Sequence, residues 1–278
     1  MDYLQKKQYL IDVFEDTMNI IEGDKTYQNA LKNSIETQMF IAHNDVIEIP
    51  DPFYIKDCKV LVSKKRTMEA AKKYAEEGYV TCVLNFASAT TPGGGVKSGT
   101  TAQEECLCRV SDLLPCLETD DNIDKFYNPH RMTKDPLHND DIIYTRDVVV
   151  VKNDDYELLD DPFFVDVITC AAPNLKKKPT NQYNHSDGDC VKISDSELFD
   201  IHLSRARKIL QSAISNDVEA LVLGAFGCGV FKNNPNVVAQ AYKKAISEYS
   251  KYFSVVEFAI YCKQYETENY DAFKNVFK

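Results

Sequence analysis

The stretch YVTCVLNFASATTPGGGVKSGTTAQEE, residues 79–105, changes character twice along its length. Its first part, residues 79–86, is apolar and rich in β-branched and aromatic side chains, which predicts a buried strand. The strand runs towards three consecutive glycines at 93–95, where the missing side chains let a ligand approach backbone N–H groups closely. The stretch closes on Gln-Glu-Glu at 103–105, which predicts the start of a helix. Strand, glycine loop and helix together indicate an α/β fold with a ligand site at the loop.

The paired carboxylates at the end of this stretch are candidates for acid–base chemistry. Glu104 and Glu105 are adjacent, so they cannot face each other across a substrate as the two carboxylates of a typical glycosidase do. Neighbours on a helix point in different directions, so one glutamate can transfer a proton while the other orients the substrate. Taken alone, the same residues also fit a flexible glycine loop followed by carboxylates at the positive end of a helix dipole.

A second glycine-rich stretch, LVLGAFGCGVFKNNP at residues 221–235, repeats the order of strand, glycine turn and helix. Asn234 is a candidate N-cap for a helix that begins at Pro235. A glycine turn before a helix N-terminus is a typical phosphate-binding arrangement. The glycines follow the order Gly-x-x-Gly-x-Gly, and no Gly-Lys-Ser/Thr follows them, which disfavours a Rossmann dehydrogenase and a P-loop NTPase. The position of Phe226 and Phe231 within the loop favours a ligand contact for at least one ring, although phenylalanine is more often a core residue.

The rest of the chain alternates strands and helices, which predicts a largely parallel or mixed sheet covered by helices. The predicted strands are 60–62, 79–86, 147–152, 163–169, 220–223 and 254–261. The predicted helices are 3–22, 25–40, 66–77, 196–215, 235–249 and 268–277. Residues 110–145 and 174–194 are polar and turn-rich, and we expect long loops there. We therefore expect a helical N-terminal extension, residues 1–57, packed on an α/β core, residues 58–278.

Composition narrows the classes of function. The chain has 278 residues, of which 44% are hydrophobic, and a formal net charge of −11. Such an acidic protein is not expected to bind nucleic acids or membrane surfaces in general, although backbone N–H groups can still hold an anionic small ligand. Nine cysteines without regular spacing fit reduced thiols in the cytoplasm better than a disulfide scaffold. No signal-peptide core or membrane-spanning apolar run is evident, so we expect a soluble protein.

The motifs together resemble the signature of the poly(ADP-ribose) glycohydrolases, which are macrodomain proteins. The glycine triplet 93–95 with Gln-Glu-Glu at 103–105 carries the resemblance. Residues 85–89, VDVITCAAPN at 165–174 and GAFGCGVF at 224–231 are similar to the compact microbial type in particular. The segment FYNPHR at 126–131 also resembles a tyrosine-rich segment before a His-Arg pair in that family. The likeness extends over roughly residues 25–265 and implies a macrodomain-like mixed sheet flanked by helices.

The resemblance implies hydrolysis of the ribose–ribose O-glycosidic bond in poly(ADP-ribose), with release of ADP-ribose. We expect no metal or organic cofactor. The resemblance also implies that Glu105 is the catalytic acid/base and that Glu104 holds ribose hydroxyls. It further implies that residues 93–95 approach the diphosphate and distal ribose and that residues 227–231 wrap the diphosphate. The residues expected to bind substrate are Asn85, Ala87, Gly93, Gly94, Gly95, Val96, Gln103, Phe226, Gly227, Cys228, Gly229, Val230 and Phe231.

Two other functions remain open from the sequence: an ADP-ribose-binding macrodomain that does not cleave its ligand, and a hydrolase that removes a single ADP-ribose. The expected partners are poly(ADP-ribose), ADP-ribose and ADP-ribosylated proteins, and we expect a monomer. A metal site from Cys106, Cys108, Cys116 and His130 is poorly supported, because the C-x-C spacing lacks a second close Cys/His pair. The lysines at 176–178 are expected on a solvated loop that could meet further phosphates of a polymer.

Overall fold

Seven strands form one sheet within the part of the chain that the computed structural model describes, residues 2–54, 56–179, 183 and 191–278. The strands are β1 (Met39–Ile41), β2 (Lys59–Ser63), β3 (Thr81–Ala87), β4 (Ile142–Lys152), β5 (Leu158–Ala171), β6 (Ala220–Leu223) and β7 (Val255–Ala259). Their order across the sheet is β1-β4-β5-β3-β6-β7-β2. Strands β5, β3, β6, β7 and β2 run parallel, and β1 and β4 run antiparallel to their neighbours, so the sheet is mixed as predicted.

Helices cover both faces of the sheet. They are α1 (Tyr3–Gly23), α2 (Lys25–Glu36), α3 (Thr67–Glu76), α4 (Gln103–Val110), α5 (Leu113–Leu117), α6 (Asp120–Asn122), α7 (Asn128–Thr133), α8 (Asp195–Ile214), α9 (Pro235–Tyr249) and α10 (Glu268–Val276). Short 3₁₀ turns occupy 96–98 and 250–252, and a π turn occupies 123–127. The caps follow from sequence: Asn234 accepts a hydrogen bond from the Asn236 N–H at the start of α9, which confirms the predicted N-cap.

Strand β3 shows how the sheet divides the core into two layers. Its side chains alternate between the faces: Cys82 and Leu84 pack with α8 and α9, whereas Val83 packs with α3 and α4. All three are fully buried. Because β3 is covered on both sides, its sequence is largely apolar and does not alternate, as expected for a central parallel strand.

Two regions differ from the sequence prediction. The predicted helix 25–40 ends at Glu36, because Met39–Ile41 pairs antiparallel with β4 and adds an edge strand. The predicted loop 110–145 instead contains α5, α6, the π turn, α7 and the start of β4. Buried side chains such as Leu113 and Phe126 hold these short helices against the core, although their neighbours are polar. Of the predicted loop 174–194, residues 180–182 and 184–190 lie outside the described residues.

The segment 1–57 contacts the core through its helices and through β1, which extends the sheet beyond β4. The division into an extension of residues 1–57 and a core of residues 58–278 stays a prediction. None of the helices within the described ranges combines the length and the apolar character needed to cross a membrane.

Candidate active site

A cleft of about 570 Å³ lies where the carboxyl ends of the parallel strands meet. Strands β3 and β6 are direct neighbours, and each runs into one of the two glycine-rich stretches, so their pairing places both stretches on the same edge of the sheet. Ligands of open α/β sheets typically bind at this edge. The cleft is lined by residues from both glycine stretches, from the start of α4 and from the ends of β5 and β7.

The Gln103 side chain connects the start of α4 to the end of β3 through two hydrogen bonds. Its Oε1 accepts a hydrogen bond from the Phe86 N–H at 2.9 Å, and its Nε2 donates to the Leu84 carbonyl at 2.8 Å. The side chain therefore replaces the missing sheet partner of the strand end and fixes the first turn of the helix beside it. Gln103 lines the cleft, and its amide acts in this structure as a positioning group for the two glutamates that follow.

Glu105 is nearly buried, with 8% of its surface exposed, and lines the cleft. One carboxylate oxygen, Oε1, accepts hydrogen bonds from the Gly95 N–H at 3.0 Å and from the Thr100 hydroxyl at 2.8 Å. The other oxygen, Oε2, is buried and has no hydrogen-bond partner within the described residues. One oxygen is thus anchored, while the other makes no hydrogen bond within the described residues.

Glu104 lies in a different environment from its neighbour. Its Oε2 accepts the Ser88 N–H at 2.7 Å, and its Oε1 accepts from Asn85 Nδ2 at 3.3 Å. Burial raises the pKa of Glu104 to about 8, with a further rise from the negative charge of Glu105, while the Ser88 and Asn85 hydrogen bonds act in the opposite direction. Burial therefore favours the protonated form of the Glu104 carboxyl, which can donate a hydrogen bond.

The glycine triplet packs directly against these carboxylates. Gly93 and Gly94 have φ values of +63° and +57°, a region in which a side chain is strained. A Cβ atom at Gly94 would lie 2.6 Å from Glu105 Oε1, and one at Gly93 would lie 2.6 Å from Leu114 Cδ1. The glycines therefore allow the loop backbone to reach the glutamates, in addition to any approach to a ligand.

The second glycine loop is shaped by a residue that the sequence did not single out, Asn233. Its Nδ2 donates to the carbonyls of Pro173 at 2.7 Å and Gly227 at 3.0 Å, and its Oδ1 accepts from His202 Nε2 at 2.8 Å. Asn233 is buried, with 2% exposed. Its position gave no sequence signal, because the side chain acts through backbone carbonyls that are distant along the chain.

The phenylalanines of this loop have separate environments. Phe226 is fully buried and packs against Phe86 and His202, with ring centroids 5.4 Å and 6.0 Å away. Phe231 lines the cleft, and the ammonium of Lys176 lies 5.4 Å from its ring centroid. The ring that faces the cleft is therefore Phe231, whereas Phe226 supports the loop from the core.

Two cationic side chains also line the cleft, Lys176 and Arg66. Burial lowers the pKa of Lys176, and Glu105 counteracts that effect. The Arg66 guanidinium lies 4.6 Å from the ring centroid of Tyr261, which lines the same end of the cleft. The neighbours of Lys176, Lys177 and Lys178, are exposed, as the sequence predicts.

The predicted site residues divide into two groups. Those that line the cleft are Gly94, Gly95, Gln103, Glu104, Glu105, Gly227, Gly229, Val230 and Phe231. Those buried behind its surface are Asn85, Ala87, Gly93, Val96, Phe226 and Cys228. Within the described residues, no group of three or more His, Cys, Asp or Glu side chains is arranged to hold a metal ion. Besides Asn233, the sequence missed Thr100, whose hydroxyl binds Glu105.

Comparisons with known proteins agree with this geometry. Residues 1–153, a little over half of the chain, match the family of microbial-type poly(ADP-ribose) glycohydrolase catalytic domains. The poly(ADP-ribose) glycohydrolase of Thermomonospora curvata is 26% identical, with a TM-score of 0.82 over 97% of this chain and 99% of that one. The enzyme of Deinococcus radiodurans, in complex with ADP-ribose, is 28% identical, with a TM-score of 0.75 over 88% and 96% of the two chains.

None of the curated proteins matches the chain. The family match covers the first glycine stretch and the glutamate pair, and the structural likeness extends across the second glycine stretch as well. The chain therefore belongs to the microbial-type poly(ADP-ribose) glycohydrolase family.

Proposed function

We propose that this cleft hydrolyses the ribose–ribose O-glycosidic bond of poly(ADP-ribose), with Glu105 as acid and then base. The observation that carries this assignment is that the two oxygens of the Glu105 carboxylate differ in their hydrogen bonds. Oε1 of Glu105 is anchored by Gly95 and Thr100, and Oε2 has no partner in the described structure. A general acid needs such a held but unengaged oxygen within reach of the leaving group.

The first step transfers a proton from Glu105 to the leaving oxygen of the next ribose while the bond from that oxygen to the anomeric carbon breaks. An oxocarbenium-like centre forms at that carbon, and the diphosphate of the same ADP-ribose unit supplies negative charge nearby. Water then attacks the anomeric carbon and gives a proton to the Glu105 carboxylate. The enzyme returns to its starting protonation state, and ADP-ribose is released.

Glu104 orients the ribose rather than transferring the proton. Burial favours its protonated form, in which it can donate one hydrogen bond to a ribose hydroxyl and accept another. Ser88 and Asn85 hold the carboxyl group from behind. This arrangement fixes the ring relative to Glu105, which lies next in sequence on the same helix turn.

The diphosphate is assigned to the gap between the glycine loops, where Gly94, Gly95, Gly227 and Gly229 line the cleft. The Gly94 and Gly95 N–H groups already donate to the Thr91 carbonyl and to Glu105, so the proposed anion donors are backbone N–H groups of the second loop. Lys176 adds one cation at the same cleft. Residues at the far end, including Ile260 and Tyr261, give an apolar surface suited to the adenine ring.

The test is chromatographic detection of free ADP-ribose after incubation of the protein with poly(ADP-ribose). We expect polymer to disappear and ADP-ribose to accumulate in wild type and not in Glu105→Gln. Undiminished polymer together with tight ADP-ribose binding would instead identify an ADP-ribose reader. Release of ADP-ribose only from a mono-ADP-ribosylated protein would identify the second alternative, a mono-ADP-ribosyl hydrolase.

We also propose that the protein works as a monomer in the cytoplasm on ADP-ribosylated proteins. Eight cysteines fall within the described residues, and all eight are free, which supports a reducing compartment. Sedimentation at several concentrations tests the monomer, and fractionation of cells that express the protein tests the compartment.

A further inference from the structure

The N-terminal helix α1 packs against the loop that precedes α4, which contains Gly99 and Thr100. Gly99 has φ +71°, and a Cβ atom at this position would lie 2.5 Å from the Lys7 carbonyl oxygen of α1. The backbones of loop and helix are therefore in direct contact, with no space for a side chain between them. The same loop carries Thr100, whose hydroxyl donates to Glu105.

Arg109, one turn after Glu105 on α4, joins these parts. Its side chain is fully buried. Its Nε donates to the Leu10 carbonyl of α1 at 3.1 Å, its Nη2 to the Thr100 carbonyl at 2.5 Å, and its Nη1 to the Tyr156 hydroxyl at 3.2 Å. A Thr17 hydroxyl from α1 also donates to the Arg109 carbonyl at 2.7 Å.

Although it is fully buried, the Arg109 guanidinium forms no ion pair with any described carboxylate, which is unusual for a buried cation. A buried cation is expensive unless hydrogen bonds satisfy its donors. Here the acceptors are two carbonyls, a phenol and, at 4.0 Å, the Cys106 sulfur, and the Tyr156 ring centroid lies 5.5 Å from the guanidinium carbon. An apolar residue of similar volume would fill the space without that cost, so the geometry of the carbonyl contacts points to a role beyond packing.

We infer that Arg109 is a positioning residue that, through Thr100, fixes the orientation of the Glu105 carboxylate. This inference rests on the proposed function. Arg109 holds the Thr100 carbonyl, the Thr100 hydroxyl holds Glu105 Oε1, and Glu105 Oε2 is left for the substrate. Through the Leu10 carbonyl, helix α1 is part of the same chain of contacts. The N-terminal extension thereby supports the acid/base geometry and does not only cover the sheet.

This role of Arg109 requires the hydrogen bond from the Thr100 hydroxyl to Glu105 Oε1. Without it, Glu105 Oε1 keeps only the Gly95 N–H, and the carboxylate can rotate about its terminal bond. A displacement of about 1 Å at a reacting group costs about 10²-fold in rate. Loss of a donor to the carboxylate also favours the protonated form, so the pH dependence of turnover must change.

The experiment compares Thr100→Val, which removes the hydroxyl at nearly constant volume, with Thr100→Ser, which keeps it. Arg109→Lys and Arg109→Met test the upstream contact, and Arg207→Lys, which changes a half-exposed surface ion pair with Glu248, is the control. kcat, KM, ADP-ribose affinity and the pH–kcat profile are measured on poly(ADP-ribose).

We expect kcat of Thr100→Val to fall by about 10- to 10²-fold with ADP-ribose affinity within about 2-fold of wild type. The alkaline limb of its pH–kcat profile should move to higher pH, and Thr100→Ser should restore both. Arg109→Lys should reproduce the fall in kcat, because one ammonium cannot hold all three acceptors.

A folded Thr100→Val protein with wild-type kcat and an unchanged pH profile would overturn the positioning role. That conclusion holds even if the Arg109 variants fail to fold. Absence of hydrolysis by wild type as well would overturn the proposed function and this inference together, whereas hydrolysis that Thr100→Val leaves unchanged would overturn the inference alone.

Discussion

The Gly95 N–H donates a hydrogen bond to Glu105 Oε1 over 3.0 Å, so the glycine loop and the glutamate pair form one structural unit. A ligand that contacts the loop backbone therefore lies beside the carboxylate. Within this loop the Gly95 N–H holds the Glu105 carboxylate in place, and the Gly94 N–H donates to the Thr91 carbonyl.

Replacement of Glu105 by glutamine should lower kcat by about 10²–10⁴-fold or more, because the amide cannot deliver and retrieve a proton. ADP-ribose affinity should change little, since the amide keeps the size of the side chain. The measurements are release of ADP-ribose from polymer and calorimetric binding of the monomer. Glu76→Gln, at an exposed position on α3, is the matched control. Near-wild-type turnover by Glu105→Gln would show that another group is the acid.

Substitution of Gly94 should damage catalysis as well as binding. The sequence predicts that Gly94→Val weakens ADP-ribose affinity by blocking the approach of phosphate. In the structure a Cβ atom at Gly94 also collides with Glu105 Oε1, at 2.6 Å. We therefore expect a fall in kcat together with weaker binding, whereas Gly229→Ala, with nothing within 4 Å of its Cβ position, should be milder. Equal effects of the two substitutions on kcat would contradict the assignment.

The raised pKa of Glu104 predicts a pH dependence of stability. Its folded-state pKa of about 8 lies above the ordinary value of 4.5, so the native state binds the proton more tightly than the unfolded chain. This contribution to stability is fully present below about pH 4.5 and is lost as the pH rises through 8. The slope in that window is at most about 1.4 kcal/mol per pH unit for one group.

Urea unfolding of wild type and Glu104→Gln at pH 5, 6.5 and 8 measures this effect. The glutamine variant should lose the part of the slope that Glu104 contributes, and Glu76→Gln should retain it. Asp112, whose pKa burial raises to about 7, contributes in the same direction and will leave a residual slope in both proteins. Identical slopes for wild type and Glu104→Gln would show that Glu104 is ionised in the native state.

Removal of the Asn233 side chain should loosen the second glycine loop. Asn233→Ala removes the side-chain partner of the Pro173 carbonyl and of the His202 ring, which should cost about 2–3 kcal/mol of stability. The Gly227 carbonyl keeps its hydrogen bond from the backbone N–H of residue 233. ADP-ribose affinity should fall by more than the unfolded fraction of the variant explains, because the loop loses its preorganised shape. Asn236→Ala, at an exposed position on α9, is the control. Urea unfolding measures the stability of both variants, and calorimetry measures their ADP-ribose affinity. Unchanged affinity in Asn233→Ala would show that this loop does not contribute to ADP-ribose binding.

Salt should weaken monomer binding only slightly, because the proposed diphosphate site relies on backbone N–H groups and a single cleft lysine. Lys176→Met should lower ADP-ribose affinity by no more than about fivefold and flatten the remaining salt dependence. The double substitution of Lys177 and Lys178 by methionine should leave monomer binding unchanged and weaken binding of long polymer, if these exposed lysines meet further phosphates. A steep salt dependence for the monomer would show that cationic side chains dominate the pocket.

Much of the fold follows from local sequence patterns. The apolar run before the glycine triplet specifies a buried strand, and Asn234 with Pro235 specifies the start of α9, because these patterns act through backbone conformation and burial within a few residues. The short helices between 113 and 133 were not predicted, since their apolar residues are interspersed with polar ones. Likewise, Met39–Ile41 became a strand only because β4 provides an edge to pair with.

The sequence by itself determined which residue types carry the chemistry: two glycine-rich turns after strands, and adjacent glutamates at a helix start. Only the tertiary structure decided how they act together. Pairing of β3 with β6 brings the two loops to one edge, burial gives Glu104 its raised pKa, and Thr100 and Asn233 acquire roles through contacts with distant backbone. Such effects depend on distance and desolvation in the folded chain, and neither is encoded in the spacing of residues along the sequence.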